Sequence, residues 1–282
     1  MTSRALVAAL LVAAAPLSAQ PVGTTEPSTA PLFIKDDAWL AAGFVAATLA
    51  LYPADRFFAE RLQNPRNQEN RFLRRQAAFF RTTAVPGAFI IGGTMYAVGR
   101  AGGNDRLADL GLHGTEAVVG GLLVTSVVKT VLGRARPLVD VEQPYDYKFL
   151  RGLKSDRYRS FPSGHTVAGF AAAAAVTKET ARWWPSSTWY VAPAMYGGAT
   201  LVGVSRMYNN KHWASDVAVG AAIGTFFGLK VVRYHHSHAD NRIDRWLLSA
   251  TLVRKGANGY AWRFGAWPDL RPRDPAERAR AR

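Results

Sequence analysis

Three short segments of this 282-residue chain combine cationic, imidazole and carboxylate side chains in a way that suits phosphate chemistry. The segments are Lys129 with Arg136-Pro137, then Pro162-Ser163-Gly164-His165, then Ser205-Arg206 with His212 and Asp216. Cations neutralise phosphate oxygens, and an imidazole can act as nucleophile, acid or base near neutral pH. Because all of these groups lie within fewer than ninety residues, they predict one site for phosphoryl transfer.

The third segment predicts a nucleophile. His212 and Asp216 lie four residues apart, so on a helix they share one face and the carboxylate can orient the imidazole. The second ring nitrogen is then free to attack or to accept a proton. Arg206 precedes a predicted turn at Tyr208-Asn209-Asn210, which lets its guanidinium fold back over the group that the histidine attacks. The alternative is a surface histidine beside an aspartate that caps a helix.

The second segment predicts a helix start that binds phosphate. Ser163 suits the N-cap position, and Gly164 lets the backbone approach a ligand closely. The unsatisfied N–H groups of a helix start bind phosphate oxygens. His165, one step into this helix, is predicted to protonate the departing oxygen. Taken alone, a Ser-Gly pair is equally typical of an ordinary helix cap.

The first segment supplies two cations. Lys129 and Arg136 lie seven residues apart, or two helical turns, so both point the same way if the helix continues through Gly133. Lys and Arg near a helix end also commonly reach towards an interface, and Arg134, which has no partner in the pattern, is interpreted in this way. No cluster of Asp, Glu and His with divalent-metal spacing accompanies the motifs. We therefore predict that the protein's cations replace a metal and that no cofactor is needed.

Six apolar segments surround these motifs. They lie near Trp39–Ala54, Val85–Gly99, Ala117–Val128, Val167–Val176, Trp189–Val204 and Trp213–Val232. Their length and their Ala and Gly content favour helices, and no alternating strand pattern occurs before residue 250. The sequence therefore predicts an all-α bundle of about six core helices.

The lengths of the six apolar segments bear on whether they span a membrane. A membrane span needs about 20 mostly apolar residues, and only the last of the six runs reaches that length. Short Ala-rich helices pack closely in membranes, but they also suit a soluble core. We expect a bundle that is at least partly membrane-embedded, with a soluble bundle as the alternative.

The charge pattern restricts the partners. The formal net charge is +15, which favours anionic membranes or phosphate-bearing substrates. The arginines do not form a stripe interleaved with aromatic residues, so nucleic acid is not expected as a partner. The chain has no cysteine, which excludes disulfides, thiol nucleophiles and cysteine metal sites.

The chain ends suggest export. We predict a signal peptide at 1–19, a flexible linker at 20–36, the helical domain at 37–232 and a basic C-terminal tail at 233–282. An uncleaved N-terminal anchor is the alternative to a cleaved signal peptide. A weak alternation around Asn258-Gly259 suggests a small hairpin in the tail. The tail also contains His235, His236 and His238, which could bind metal, but no carboxylate or cysteine lies nearby in sequence and a solvated tail is predicted instead.

The orientation of the bundle stays open. The segment from Asp55 to Thr82 reads as an arginine-rich loop, which the positive-inside rule places in the cytoplasm. With six spans, the motif loops then also face the cytoplasm. If the first apolar segment lies on the membrane surface instead, the motif loops face outward. An arginine-rich loop is also typical of a plain solvated surface.

Taken together, the three motifs resemble the type 2 phosphatidic acid phosphatase superfamily, which includes lipid phosphatases, bacterial class A acid phosphatases and vanadate-dependent haloperoxidases. The family pattern Lys-x6-Arg-Pro, Pro-Ser-Gly-His and Ser-Arg-x5-His-x3-Asp is complete here. The resemblance implies a metal-independent enzyme with a phosphohistidine on His212, oriented by Asp216, and with His165 as the acid and then the base. It implies that the phosphate is held by Lys129, Arg136, Ser163, Gly164 and Arg206.

The predicted function is hydrolysis of a lipid phosphate or an isoprenoid pyrophosphate in the bacterial cell envelope, at the inner membrane or in the periplasm. The substrate, a phosphorylated lipid or a small phosphomonoester, is the expected partner. A soluble periplasmic acid phosphatase of broad specificity is the main alternative. A vanadate haloperoxidase and a non-catalytic anion-binding membrane protein are the others. Basic residues within 138–160 suggest a rim over the site, or simply a solvated loop.

Overall fold

The computed structural model describes residues 31–238 and two strands at 250–255 and 259–264. The predicted signal peptide and the linker up to residue 30 lie outside the described residues. So do the turn between the two strands and the end of the predicted basic tail.

The described chain is helical over most of its length, which confirms the all-α prediction. The helices are α1 Lys35–Leu51, α2 Asp55–Gln63, α3 Pro65–Glu69, α4 Arg71–Gly102, α5 Asp105–Leu132, α6 Gly164–Trp183, α7 Thr188–Tyr208 and α8 Ala214–Ser237. Short 3-10 turns occur at Tyr52–Ala54, Arg151–Leu153, Asp156–Tyr158 and Pro185–Ser187. Strands β1 Ala250–Lys255 and β2 Gly259–Phe264 pair antiparallel.

Helix α6 lies at the centre of the bundle and contacts α4, α5, α7 and α8. Its alanine run at 173–175 is fully buried, because small side chains let neighbouring helices approach closely. On α8, Gly220, Gly224 and Gly228 face this helix. A Cβ at Gly220 would lie 2.7 Å from the Ser163 carbonyl oxygen, so only glycine permits the approach. This contact brings the starts of α6 and α8 together.

Gly133 ends α5 earlier than the sequence suggested. It has a left-handed φ of 56°, and its N–H bonds back to the Lys129 carbonyl, as at many helix C-termini. The prediction that one helix carries Lys129 and Arg136 on the same face is therefore wrong. Arg136 lies in the connection after α5, where backbone hydrogen bonds rather than helical spacing position it.

Three helical stretches are long and apolar enough to cross a membrane: Lys35–Gln63, Asp105–Leu132 and Ala214–Ser237. In the sequence, only the last of the six apolar runs has the length that a membrane span needs. The other two qualify because their helices continue past the apolar runs. Large apolar side chains also face outward in this bundle. Trp39, Leu123 and Trp189 are 80%, 65% and 87% exposed.

Two further expectations are wrong. The segment from Asp55 to Thr82 is not a loop but forms α2, α3 and the start of α4. At the other end, α8 continues to Ser237, so His235 and His236 belong to its last turn and not to a solvated tail.

Candidate active site

The three motifs meet at one end of the bundle, where α5 and α7 end and α6 and α8 begin. Backbone hydrogen bonds join their segments: Ser163 N–H donates to the Asp216 carbonyl at 3.0 Å, and Leu138 N–H to the Asn210 carbonyl at 3.2 Å. The turn predicted at Tyr208-Asn209-Asn210 is present. It follows α7 directly, and Asn210 has a left-handed φ of 56°.

His212 and Asp216 form the predicted pair, although not on one helix face. His212 lies just before α8, Trp213 is the N-cap residue, and Asp216 Oδ2 accepts the Trp213 N–H at 2.9 Å. His212 Nδ1 is 3.6 Å from Asp216 Oδ2, slightly beyond hydrogen-bond distance. Asp216 therefore caps α8, as the alternative interpretation held. His212, however, is only 3% exposed and is not a surface residue.

The partner that fixes Asp216 is Arg134, to which the sequence analysis gave only an interface role. Arg134 is fully buried and bridges two carboxylates, donating to Asp216 Oδ1 at 2.5 Å and to Asp55 Oδ2 at 2.7 Å. It also donates to Ser215 Oγ and to the Pro144 carbonyl. Spacing in the sequence gives no signal for Asp55, which comes from α2, 79 residues earlier.

Aromatic rings surround this guanidinium on several sides. The Arg134 Cζ atom lies 5.0 Å from the ring centre of Tyr147, 5.4 Å from that of Trp213 and 5.5 Å from that of Tyr52. Burial acts to lower the pKa of Arg134, but the attraction of Asp216 and Asp55 outweighs it and raises that pKa above its ordinary value. Arg134 is therefore a permanent cation that holds Asp216 in place beneath His212.

Ser160 is a second residue that the sequence analysis missed. Its hydroxyl donates to Asp216 Oδ2 at 2.5 Å and is fully buried. Its N–H donates to the Arg134 carbonyl at 3.1 Å, which joins the two segments that hold the carboxylate. Ser160 and Arg134 act on the histidine only through Asp216, so they are positioning residues.

Two arginines bring unpaired donors to the site. Arg136 and Arg206 are 7% and 6% exposed, and Arg136 Nε, Arg206 Nε and Arg206 Nη1 are buried without a hydrogen-bond partner among the described residues. Arg136 Nη2 has a carboxylate partner, Asp156 Oδ1, at 2.7 Å. Lys129 is less free, because its Nζ donates to the Arg159 and Ser160 carbonyls at 2.8 and 3.3 Å.

Burial and then the nearby cations lower the pKa of both histidines. Burial, followed by the charges of Arg206, Lys129 and Arg136, lowers the pKa of His165 to about 4. Burial and the charge of Lys129 likewise lower the pKa of His212 well below its ordinary value, against the opposing pull of Asp216. Both imidazoles are therefore neutral at pH 7 before an anion binds.

Arg81 of α4 adds to this positive field at His165 and Arg206. In the sequence, Arg81 belongs to the segment interpreted as an arginine-rich loop, and no role at the site is predicted for it. Its place near the site results from the packing of α4 against α6 and α7.

The start of α6 differs in one detail from the prediction. Ser163 occupies the N-cap position, but its hydroxyl does not cap a backbone N–H and instead accepts from Thr166 Oγ1 at 2.8 Å. At Gly164, an added Cβ would lie no closer than 3.5 Å to another side chain. Packing within the protein therefore does not require glycine there, and close approach of a ligand stays the predicted reason for it.

The loop from 138 to 160 carries both the basic and the apolar groups of the rim. Arg151 braces it from within, donating to Asp146 Oδ2 at 2.8 Å and to the Gly133 carbonyl, and Arg159 donates to Thr130 Oγ1 at 3.1 Å. The exposed basic and apolar members of this loop are Tyr145, Lys148, Phe149, Leu150, Leu153, Lys154 and Arg157. Cationic and apolar side chains thus share the outer surface of the loop.

Comparison with known proteins relates this region to one family. The sequence model of the PAP2 superfamily matches residues 112–240, which include all three motifs. A lipid A 1-phosphatase of Porphyromonas gingivalis is 46% identical over 69 residues, covering 24% of this chain and 15% of that protein. A lipid A 1-phosphatase of Rhizobium johnstonii is 32% identical over 112 residues, covering 38% of this chain and 40% of that protein. The matched regions thus span less than half of either relative.

Among solved structures, a transmembrane PAP2-type phosphatidylglycerolphosphate phosphatase from Bacillus subtilis is similar to this chain. The match has a TM-score of 0.49 and 20% sequence identity, and it covers 74% of this chain and 99% of that one.

Proposed function

We propose, from the match of residues 112–240 to the PAP2 superfamily model, that this chain is a metal-independent phosphatase that acts on a phosphorylated lipid through a phosphohistidine on His212. The observation that carries the proposal is the set of buried guanidinium N–H groups of Arg136 and Arg206 that have no acceptor within the described part of the chain. The oxygen atoms of a phosphoryl group can accept hydrogen bonds from these N–H groups.

The energetic argument for an anion is direct. A buried donor without a partner costs about 1–3 kcal/mol, and more when it is charged. Three such donors, beside the start of α6, form a region in which an oxyanion gains hydrogen bonds and the favourable field of a helix N-terminus. Phosphate fits this region because a guanidinium binds it through two oxygens.

His212 and His165 have different roles in the proposed reaction. His212 Nδ1 faces Asp216, so Nε2 is the nitrogen that attacks phosphorus, forming the N–P bond as the ester P–O bond breaks. His165 is neutral before the substrate binds, so it first takes a proton from the monoanionic phosphate group and then gives that proton to the leaving oxygen. His165 next removes a proton from water, the water oxygen bonds to phosphorus, and the N–P bond breaks to release phosphate and free His212. Lys129, Arg136 and Arg206 stabilise the charge on the transferred group throughout.

A lipid substrate is supported by the apolar surface. An open groove of about 490 Å³ lies between α1, α5 and α8, lined almost entirely by apolar side chains, among them Leu40, Phe44, Val124 and Phe227. The outward Trp39, Leu123 and Trp189 suit contact with hydrocarbon better than with water. We infer that the chain is embedded in the bacterial envelope membrane, which disfavours the soluble acid phosphatase. Extraction without detergent that leaves the protein in solution would reverse this preference.

The names of the two relatives suggest the first substrate to test, the 1-phosphate of lipid A. The proposed panel compares this lipid with a glycerophospholipid phosphate, an isoprenoid pyrophosphate and a soluble aryl phosphate. We expect turnover of at least one lipid to exceed that of the aryl phosphate by at least tenfold in kcat/KM. A preference for the aryl phosphate would contradict the lipid proposal.

The nucleophile is tested by trapping. Acid-sensitive, base-stable radiolabel should appear on the wild-type protein after rapid mixing with labelled substrate in EDTA. It should be missing from His212→Ala, and it should build up in His165→Ala if that variant loses the base for the hydrolysis step. Label on His212→Ala, or loss of wild-type turnover in EDTA at a temperature where the protein stays folded, would overturn the mechanism.

A further inference from the structure

The far end of the bundle holds a second group of ionisable side chains that the proposed phosphatase chemistry does not use. His113 of α5, Glu179 of α6 and His236 of α8 each place one potential ligand atom within 4.8 Å of the others. Glu179 lies 14 residues along α6 from His165, or roughly 21 Å at 1.5 Å per residue. The group is therefore separate from the phosphate site.

The geometry of this cluster is tight. His113 Nδ1 lies 2.5 Å from Glu179 Oε1, and His236 Nε2 lies 2.9 and 3.0 Å from the two oxygens of the same carboxylate. Zn²⁺ bonds of about 2.0–2.2 Å place neighbouring ligand atoms roughly 3.3 Å apart. An ion therefore fits between these atoms after each shifts outward by less than about 1 Å, replacing the protons that they now share.

Hydrogen bonds inside the cluster do not satisfy all of its members. His113 and Glu179 are 1% and 0% exposed, yet His113 Nε2 has no hydrogen-bond partner in the part of the chain that the structure describes. The atom of His113 that faces the carboxylate is Nδ1, so the metal would bind there and Nε2 would stay unpaired. A metal bond at Nδ1 stabilises a buried imidazole far more than the single hydrogen bond to Glu179 does, which supplies a reason for burying His113 here.

Surrounding carboxylates make the cluster attractive to a cation. Asp109 lies within electrostatic range of His113, Glu179 and His236. Glu116 lies 2.5 Å from His235, whose ring stacks on His113 with centroids 4.2 Å apart. From the sequence, a solvated tail without carboxylate partners is predicted for the C-terminal histidines. That interpretation is wrong, because the carboxylates arrive from α5 and α6.

We propose that His113, Glu179 and His236 bind one divalent transition-metal ion, with Zn²⁺ as its representative, which clamps α5, α6 and α8 together at the end opposite the phosphate site. Two imidazoles and one carboxylate suit Zn²⁺, Co²⁺ or Fe²⁺, whereas Mg²⁺ and Ca²⁺ prefer oxygen ligands. Because the ion lies far from the motifs, its role is structural. The proposal is independent of the proposed phosphatase activity.

The experiment uses the full chain in detergent, purified with a histidine-free tag, stripped with EDTA and desalted. Zn²⁺ is titrated against a chromophoric chelator, and bound metal is counted by mass spectrometry. We expect the wild type to bind one equivalent with a Kd at or below 1 µM. His236→Gln and Glu179→Gln should bind at least a hundredfold more weakly. The matched control is His238→Gln, which removes an exposed histidine two residues further on and should bind like the wild type.

A second readout keeps the proposal falsifiable if a variant fails to fold. Co²⁺ added to the stripped wild type should produce the intense visible absorption of a four- or five-coordinate site, and Zn²⁺ should abolish it and raise the Tm. No stoichiometric Zn²⁺ binding and no Co²⁺ spectrum would mean that the cluster is only a hydrogen-bonded network, which overturns the proposal. Equal affinity in His236→Gln, or lost affinity in His238→Gln, would overturn the assigned ligands.

Discussion

The two ends of this helical bundle are built from the same helices, α5, α6 and α8, and carry opposite chemistry. At the phosphate end, Arg136 and Arg206 present buried donors for which residues 31–238 supply no acceptor. At the far end, the fully buried Glu179 accepts from two histidines, and the carboxylate of Asp109 lies within electrostatic range of the same group. One end is therefore matched to an anion and the other to a cation.

Helix direction reinforces this difference. Helices α6 and α8 both begin at the phosphate end and finish near the far end. Their N-termini favour negative charge and their C-termini favour positive charge, each by about 0.3–1 kcal/mol. One packing arrangement can therefore form an anion site at one end and a cation site at the other. This requires side chains at each end whose charge favours the same ligand as the helix termini do.

The sharpest test of the difference is to disable one end at a time. Replacing the nucleophile in His212→Ala should lower kcat at least a thousandfold and leave Zn²⁺ affinity unchanged, because the two ends share no side chain. The reciprocal variant, His236→Gln, should lose Zn²⁺ and keep kcat within about threefold at 25 °C. Steady-state kinetics and metal titration on the same preparations check both. Loss of both properties in either variant would mean that the ends are not independent.

The next largest effect is expected at Arg134, which joins the catalytic carboxylate to the scaffold. Arg134→Met leaves Asp55 and Asp216 buried without their cation and should lower the free energy of unfolding by about 3–5 kcal/mol. The matched control, Arg157→Met, replaces an exposed arginine of the neighbouring loop and should change stability by less than about 0.5 kcal/mol. Denaturant unfolding in detergent measures both, and equal stabilities would contradict the structural role of Arg134.

The positive field of the phosphate end should also determine the pH profile. Because the pKa of His165 is lowered to about 4, the leaving-group proton must arrive with the substrate, whose second phosphate pKa is about 6. We expect kcat/KM to be greatest between about pH 4 and 6 and to fall tenfold per unit above that. In Arg81→Gln, the loss of one positive charge raises the pKa of His165, which moves the acid limb to higher pH. A profile that is flat from pH 5 to 8 would exclude this use of His165.

The smallest expected effect is at Gly164. An added Cβ meets only ordinary van der Waals contacts from the protein, so Gly164→Ala should keep the wild-type Tm. If the phosphate approaches this backbone, kcat/KM should nevertheless fall by about tenfold. The contrasting variant is Gly133→Ala, where the left-handed φ of 56° and close backbone neighbours should lower the Tm instead. Unchanged kinetics in Gly164→Ala would remove this residue from the predicted phosphate site.

Several site features were predictable because they depend on short spacing. The turn after α7 and the pairing of His212 with Asp216 both follow from residues fewer than ten positions apart. Even here the sequence analysis chose the wrong local geometry, since it placed both residues inside a helix that begins only at Ala214. The pairing survives because an aspartate at the third position of a helix reaches back to the residues before it.

The remaining features depend on contacts that no local pattern contains. Arg134 joins residues 79 and 82 positions away, and Glu179 meets histidines 66 and 57 positions away. Helix packing brings these distant residues into contact. The main contribution is the packing of the α8 glycines against the alanine face of α6.

By itself, the sequence determined the all-α class and the set of motif residues, because helical periodicity and short motifs are encoded within a few turns. Tertiary structure alone decided that Arg134 is the buried clamp of Asp216 and that Arg81 joins the positive field. It alone also decided that His236 meets Glu179 at the far end. The physical reason is that a buried charge is stable only beside a side chain of opposite charge. In this bundle, that side chain comes from a helix far away in sequence.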